Sequence, residues 1–130
     1  RSLFSKCPTL ATIVHAQLVK VGLLPNTFWG NRCLQLYFKS GAVIDAFQLF
    51  DEISDKNTIS WNLCLKGLIK NGYLDYALEV FDEMPERDVV SWNTMISGLS
   101  SCGFSECAIR VFLDMQRLVI RPTRFTFSIL

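Results

Sequence analysis

Apolar residues along the chain recur at helical rather than strand spacing. Trp61, Cys64, Leu65 and Leu68 fall at i, i+3, i+4 and i+7, and Trp92, Met95, Ile96 and Leu99 repeat that stripe, as an amphipathic helix with one buried face requires. A second stripe follows each: Leu74, Ala77, Leu78, Phe81 and Met84, then Phe104, Cys107, Ala108, Val111, Phe112 and Met115. Between the paired stripes stands one column of glycines, Gly41, Gly72 and Gly103. Glycine takes the left-handed conformation that ends a helix, so this column predicts a cap and a turn. Val89-Val90 and Phe125-Thr126-Phe127 are β-prone locally, but they occupy helix-start positions and the repeating pattern outweighs propensity.

The pattern repeats at a fixed step. Thr27 to Asn57, Thr58 to Asp88, and Val89 onward align without gaps, 31 residues apart. The last two share Ser60/Ser91, Trp61/Trp92, Asn62/Asn93, Gly67/Gly98, Ala77/Ala108, Phe81/Phe112 and Met84/Met115, and the first joins at Asn31, Gly41, Ala46 and Phe50. Upstream, Leu18 to Asn26 parallels Met115 to Thr123, and both stretches carry four extra residues, about one helical turn. The predicted organisation is a single array over 1–130: a partial long repeat at 1–26, short repeats at 27–57 and 58–88, a long repeat at 89–123, and the start of another at 124–130. Ala46/Ala77/Ala108 forms a small column where helices can approach closely, with Phe50/Phe81/Phe112 supplying bulk beside it. Pro25, Pro85 and Pro122 are expected near the ends of second helices, where proline does least harm. The fold class is all-α, an α-solenoid of stacked helix-turn-helix repeats, each unable to bury its apolar face alone.

Composition adds limits. With 13 Lys+Arg against 12 Asp+Glu the formal net charge is +1, and 50% of residues are hydrophobic. A protein this neutral lacks the surface-wide positive field of a basic nucleic-acid binder, so any such binding must be local. No apolar run approaches the ~20 residues of a spanning helix, so no membrane partner is expected. The absence of an initiating Met and the interruption of an apolar pattern at Phe127-Ser128-Ile129-Leu130 lead us to expect a fragment, with any targeting segment outside it. Five cysteines without a C-x-x-C pair disfavour zinc and redox sites. Cys33, Cys64 and Cys107, among apolar residues, are expected to be reduced core thiols. His15 stands without a second His or a following Glu, so neither a metal nor a cofactor is expected.

Asn31, Asn62 and Asn93 recur in the first helix of each repeat, although asparagine costs a helix roughly half a kcal/mol relative to alanine. One explanation is local, through helix capping or a bond to the adjacent repeat. The other is recognition, since an amide offers both donor and acceptor to the Watson–Crick edge of an unstacked base.

Val90-Ser91-Trp92-Asn93-Thr94-Met95-Ile96-Ser97-Gly98, Phe81-Asp82-Glu83-Met84-Pro85-Glu86-Arg87-Asp88 and His15-Ala16-Gln17-Leu18-Val19-Lys20-Val21-Gly22 closely resemble the pentatricopeptide repeat, in the plant variety that mixes long and short motifs. The resemblance covers essentially the whole chain and implies a right-handed superhelix that binds single-stranded RNA at about one base per repeat. It pairs each asparagine with the last residue before the next repeat: Asn31 with Asn57, Asn62 with Asp88, and Asn93 with Thr123. By the same resemblance, Asn–Asp reads uracil, Asn–Asn reads cytosine or uracil, and Asn–Thr carries a weak pyrimidine preference. Phe28, Ile59 and Val90 become base-sandwiching side chains, with inter-repeat packing as the alternative, and Lys39 and Lys70 become phosphate contacts in a column that Ser101 breaks. Asp88 also directly precedes a helix, where an acid caps amides. The implied parent is a plant organellar protein, of the mitochondrion or the chloroplast with the mitochondrion slightly preferred, acting in C-to-U editing or another RNA-processing step with editing or processing proteins as further partners. The H-x-E and P-C-x-x-C motifs of an editing deaminase do not occur in the chain, so no catalysis and no small-molecule substrate are expected here. The alternative reading is a protein-binding scaffold of helical repeats.

Overall fold

The computed structural model describes residues 10–24, 26–118, 123, 126, 128 and 129, and among these it contains seven α-helices and no strand. They are α1 (Leu10–Lys20), α2 (Thr27–Lys39), α3 (Val43–Glu52), α4 (Thr58–Lys70), α5 (Leu74–Glu83), α6 (Val89–Ser101) and α7 (Ser105–Arg117). Cys7, Pro25, Pro122, Phe125 and Phe127, which carried expectations, lie outside the described residues.

The helix boundaries follow from local chemistry. Asn26 accepts the Trp29 backbone N–H at 3.2 Å and opens α2. Asn57 and Asp88 close full capping boxes with Ser60 and Ser91 at the starts of α4 and α6, each satisfying backbone donors that the helix itself leaves free. Thr123 and Thr126 exchange the same pair of bonds one repeat later, at 3.0 and 3.2 Å. At the other ends Gly41, Gly72 and Gly103 adopt φ of 82°, 84° and 85°. Behind them the N–H groups of Ala42, Tyr73 and Phe104 reach back to Tyr37, Leu68 and Leu99 carbonyls at 3.0, 2.8 and 2.8 Å, the six-to-one bond of a Schellman turn. Pro85 lies just beyond α5.

Two layers result. α2, α4 and α6 pack successively on one another and form the inner layer. α3, α5 and α7 each pack on their own inner partner, and α3 and α5 also lean on the next inner helix. Among the described residues the outer helices make no close backbone approach to one another, meeting instead through side chains such as Phe47 and Tyr76, 6.3 Å between ring centroids. The core is a continuous strip between the layers, with Cys33, Leu34, Leu49, Leu65, Leu68, Met95 and Ile96 fully buried. Ala46, Ala77 and Ala108 line it as expected, and Ala11 of α1 adds a fourth member. Close approach within the inner layer depends on Gly67, where an added Cβ would come within 2.2 Å of the Phe38 ring.

Phe50 and Phe81 stack edge-on against Trp61 and Trp92, each at 5.0 Å, while Lys56 and Arg87 sit over the two phenylalanine rings at 5.1 and 4.6 Å. Their charged ends also bond to carbonyls at the ends of α3 and α5. His15 occupies the corresponding place on α1, where it contacts the Tyr37 hydroxyl at 2.7 Å and Glu52 at 3.0 Å and joins three helices.

Two expectations are corrected. Cys33 and Cys64 are core thiols, with burial first and the Glu52 and Asp51 carboxylates second raising their pKa values to about 11 and about 12. Cys107, however, is exposed. It shares its register position with Asp45 and Tyr76, on the outward side of the second helix, one residue away from the buried alanine column. Phe104 likewise stands before α7 rather than in its apolar stripe and is exposed, because the Schellman turn places it at the N-cap.

Candidate nucleic-acid interface

Each inner helix carries its asparagine on the second turn, with α4 beginning beside Asn31 and α6 beside Asn62. Asn31, Asn62 and Asn93 are only 8, 8 and 9% exposed, and each is bonded across the repeat boundary. The Nδ2 of Asn31 donates to Asn57 Oδ1 at 3.4 Å, that of Asn62 to Asp88 Oδ1 at 3.1 Å, and that of Asn93 to Thr123 Oγ1 at 3.3 Å. Three chemically different side chains thus present an acceptor at one place, and in each case that atom also caps the next helix start.

The amide oxygens are engaged as well. Ser60 and Ser91 hydroxyls donate to Asn31 and Asn62 Oδ1 at 2.7 and 2.6 Å, and Thr126 donates to Asn93 Oδ1. Ser60 and Ser91 also lie 3.0 and 2.9 Å from the Oδ1 atoms of Asn57 and Asp88. A hydroxyl has one proton, and the amide oxygen at the shorter distance has no other donor, so the proton goes there. Among the described residues, one Nδ2 hydrogen of each asparagine stays uncommitted. The local role of the column is thus met without using every donor of the amides.

Burial of Asp88 favours its neutral form, but hydrogen bonds from the Ser91 N–H, the Asn62 amide, the Ser91 hydroxyl and the Val90 N–H outweigh it and hold the carboxyl below its ordinary value. At neutral pH it is a carboxylate, acceptor-only, and its roughly four acceptor positions are not all used.

The remaining candidate residues are at the surface. Phe28 and Ile59 are 63 and 62% exposed and Val90 40%. Lys39 and Lys70 are the exposed last residues of α2 and α4. Lys70, Val90 and Asn93 come together in an open groove of about 520 Å³ between α4 and α6, with Lys66, Thr94 and Ser97 along it. Phe28, Asn31 and Lys39 share one face of α2 by helical register.

Charge is sorted by helix. α2, α4 and α6 contain Arg32, Lys39, Lys66 and Lys70 and no acidic residue. α3 and α5 contain Asp45, Asp51, Glu52, Asp75, Glu79, Asp82 and Glu83 and no basic one. A net charge of +1 conceals basic α2 and α4 against acidic α3 and α5, while α7 is balanced, with Glu106 and Asp114 against Arg110 and Arg117. Arg32 and Lys66 were missed by columns alone because neither recurs, yet a charge count per helix finds them. Ser60 and Ser91 were visible as a column, but their bond to the asparagine of the preceding repeat was not.

Comparison with known proteins agrees with this architecture. The model of the PPR repeat family matches residues 87–130, and that of the PPR repeat matches 31–58 and 59–89. Across all 130 residues the chain is 81% identical to a mitochondrial pentatricopeptide repeat-containing protein of Arabidopsis thaliana, of which it spans 20%. It is 44% identical over 64 residues, 45% of its length, to a second Arabidopsis thaliana pentatricopeptide repeat-containing protein, of which the match covers 11%. The crystal structure of the pentatricopeptide repeat protein PPR10 from maize superposes with a TM-score of 0.77 over 91% of this chain and 18% of that one, at 22% identity. The last likeness is one of fold.

Proposed function

Given that the chain belongs to the pentatricopeptide repeat family, we propose that it is a non-catalytic segment of a longer array that binds single-stranded RNA, taking one base at each repeat boundary. The observation that carries this reading is the asparagine bonded to the last residue of its repeat, made three times at one register beside an exposed apolar side chain. A protein-binding scaffold has no need of that pairing.

The bonding supports a chemical basis for discrimination. Uracil offers an N3–H donor, whereas cytosine offers an N3 acceptor beside an amino donor. The Asp88 carboxylate, with acceptor capacity to spare, suits the uracil N3–H. Asn57 has its oxygen held by the Ser60 N–H at 2.9 Å, so its remaining polar groups are Nδ2 donors, which suit cytosine N3. Thr123 accepts from Thr126 N and Asn93 Nδ2, and its own hydroxyl meets Thr126 at 3.1 Å, leaving little with which to discriminate. Exposed Phe28, Ile59 and Val90 supply apolar faces for bases, with stacking on an aromatic worth about 1–3 kcal/mol per base. Lys39, Lys70, Arg32 and Lys66 supply the phosphate contacts that dominate affinity. The mitochondrial relative supports a mitochondrial site for the parent protein, and the role proposed for it there is editing or another processing step on RNA.

The test is Asp88→Asn in the full-length protein, scored by gel shift on RNAs varied at single positions. Asn57 supplies the precedent: a captured oxygen turns donors outward. Preference is expected to move from uridine toward cytidine at one nucleotide and nowhere else. Unchanged preference, or no RNA binding by the full-length protein, overturns the reading.

A further inference from the structure

Ser60 and Ser91 are fully buried polar side chains at the third position of α4 and α6, and Thr126, also fully buried, stands three residues after Thr123 as they do after Asn57 and Asp88. Each carries two tasks. As half of a capping box the hydroxyl accepts the N-cap N–H, from Asn57 at 3.3 Å, Asp88 at 3.2 Å and Thr123 at 3.0 Å. Its proton goes to the asparagine of the preceding repeat. Capping alone does not need that second bond.

We propose that Ser60, Ser91 and Thr126 are positioning residues for base discrimination, each holding the asparagine of the preceding repeat by its amide oxygen so that the free Nδ2 hydrogen faces the base; this rests on the base-reading function proposed above. The physical reason is the cost of an unpaired buried carbonyl, about 1–3 kcal/mol. With the hydroxyl present, the amide keeps its oxygen inward and its nitrogen against the last-residue acceptor. Without it, the asparagine oxygen regains a partner only by rotating toward water, which carries the nitrogen away from its bond to the last residue. A reading site is therefore assembled across the boundary, with the asparagine from one repeat and both the cap and the lock at the start of the next.

The experiment selects bound sequences from a pool of random single-stranded RNA with the full-length protein and its Ser91→Ala and Ser91→Thr variants, with thermal unfolding followed in parallel. Ser91→Ala is expected to lower the preference at the nucleotide read by Asn62 and Asp88 about tenfold, the discrimination of one hydrogen bond, and to leave neighbouring positions unchanged. Ser91→Thr restores it, since Thr126 already does this work in the same chain. Ser60→Ala repeats the test at the nucleotide read by Asn31 and Asn57, so a folding failure at one site leaves the other to decide. Preference retained in both alanine variants, or weakened equally at every position, overturns the positioning role while leaving base reading intact. Wild-type protein that binds RNA with no positional preference overturns both.

Discussion

The inner and outer helices are built from the same apolar spacing, yet they solve their ends and their charges in opposite ways. α2, α4 and α6 begin at side-chain caps, have no acid in the first turn, and bury asparagine and serine where one inner helix meets the next. α3, α5 and α7 begin straight from a glycine turn without a side-chain cap, and each places an acid, Asp45, Asp75 or Glu106, in its first turn against the helix dipole. Among the described helices only the inner ones pack backbone to backbone in succession, and there the asparagine of one repeat is bonded to the last residue of that repeat and the hydroxyl that follows it. The difference puts the buried polar bonds in the layer where neighbours pack most closely and leaves the outer layer to close the core.

The largest effect expected from this contrast is on stability. Leu65→Ala removes a fully buried side chain from the inner layer and should cost about 2–5 kcal/mol. Tyr76→Ala, on the exposed side of α5, should cost less than about 1 kcal/mol. Because a solenoid's stability is a nearest-neighbour sum, the measurement is hydrogen exchange in the full-length protein, read at the amides of α4 and α6. Equal losses from the two variants would erase the distinction between layers.

Next in size is the spacing of the inner layer. Gly67→Ala improves intrinsic helix propensity by about 1 kcal/mol, but its methyl would meet the Phe38 ring, and overpacking costs about 1–3 kcal/mol. Net destabilisation is expected, with a smaller penalty when Phe38 is already alanine. A double-mutant cycle read by chemical denaturation checks this coupling. Additive losses would mean that α2 and α4 do not depend on the missing side chain.

Much of this was legible before any coordinates. The helix pairs, the glycine turns and the asparagine column follow from periodicity, because an amphipathic stripe and a left-handed turn are local properties with local residue signatures. The pairing of Asn62 with Asp88 was legible only through family resemblance, since the residues stand 26 positions apart and nothing local ties them. Ser91 as the donor to Asn62, and the basic charge of α2 and α4, were not read at all. The first joins residues 29 positions apart, and the second is a sum over whole helices that a net charge of +1 hides. Cys107 was misplaced because its neighbours are apolar, while the register of α7 turns it outward.

The smallest effect separates two inner helix starts that are otherwise alike. α4 is capped by the neutral Asn57 and α6 by the ionised Asp88. Folding lowers the Asp88 pKa from its ordinary value of 3.8, since the bonds from Ser91, Asn62 and Val90 outweigh burial. At pH values above 3.8 both folded and unfolded chains hold the carboxylate, and the cap contributes its full stabilisation. As pH falls below 3.8 the unfolded chain takes up the proton first, and the contribution is lost progressively through the lower folded value. The loss should be under about 1 kcal/mol, because solvent screens a largely exposed carboxylate. Exchange at the first-turn amides of α6 should therefore quicken on acidification more than at those of α4, and Asp88→Asn should make the two behave alike. If α4 and α6 respond equally in the unaltered protein, the charge at Asp88 adds nothing to its cap, and what distinguishes it from Asn57 is the hydrogen-bonding face it offers to a base.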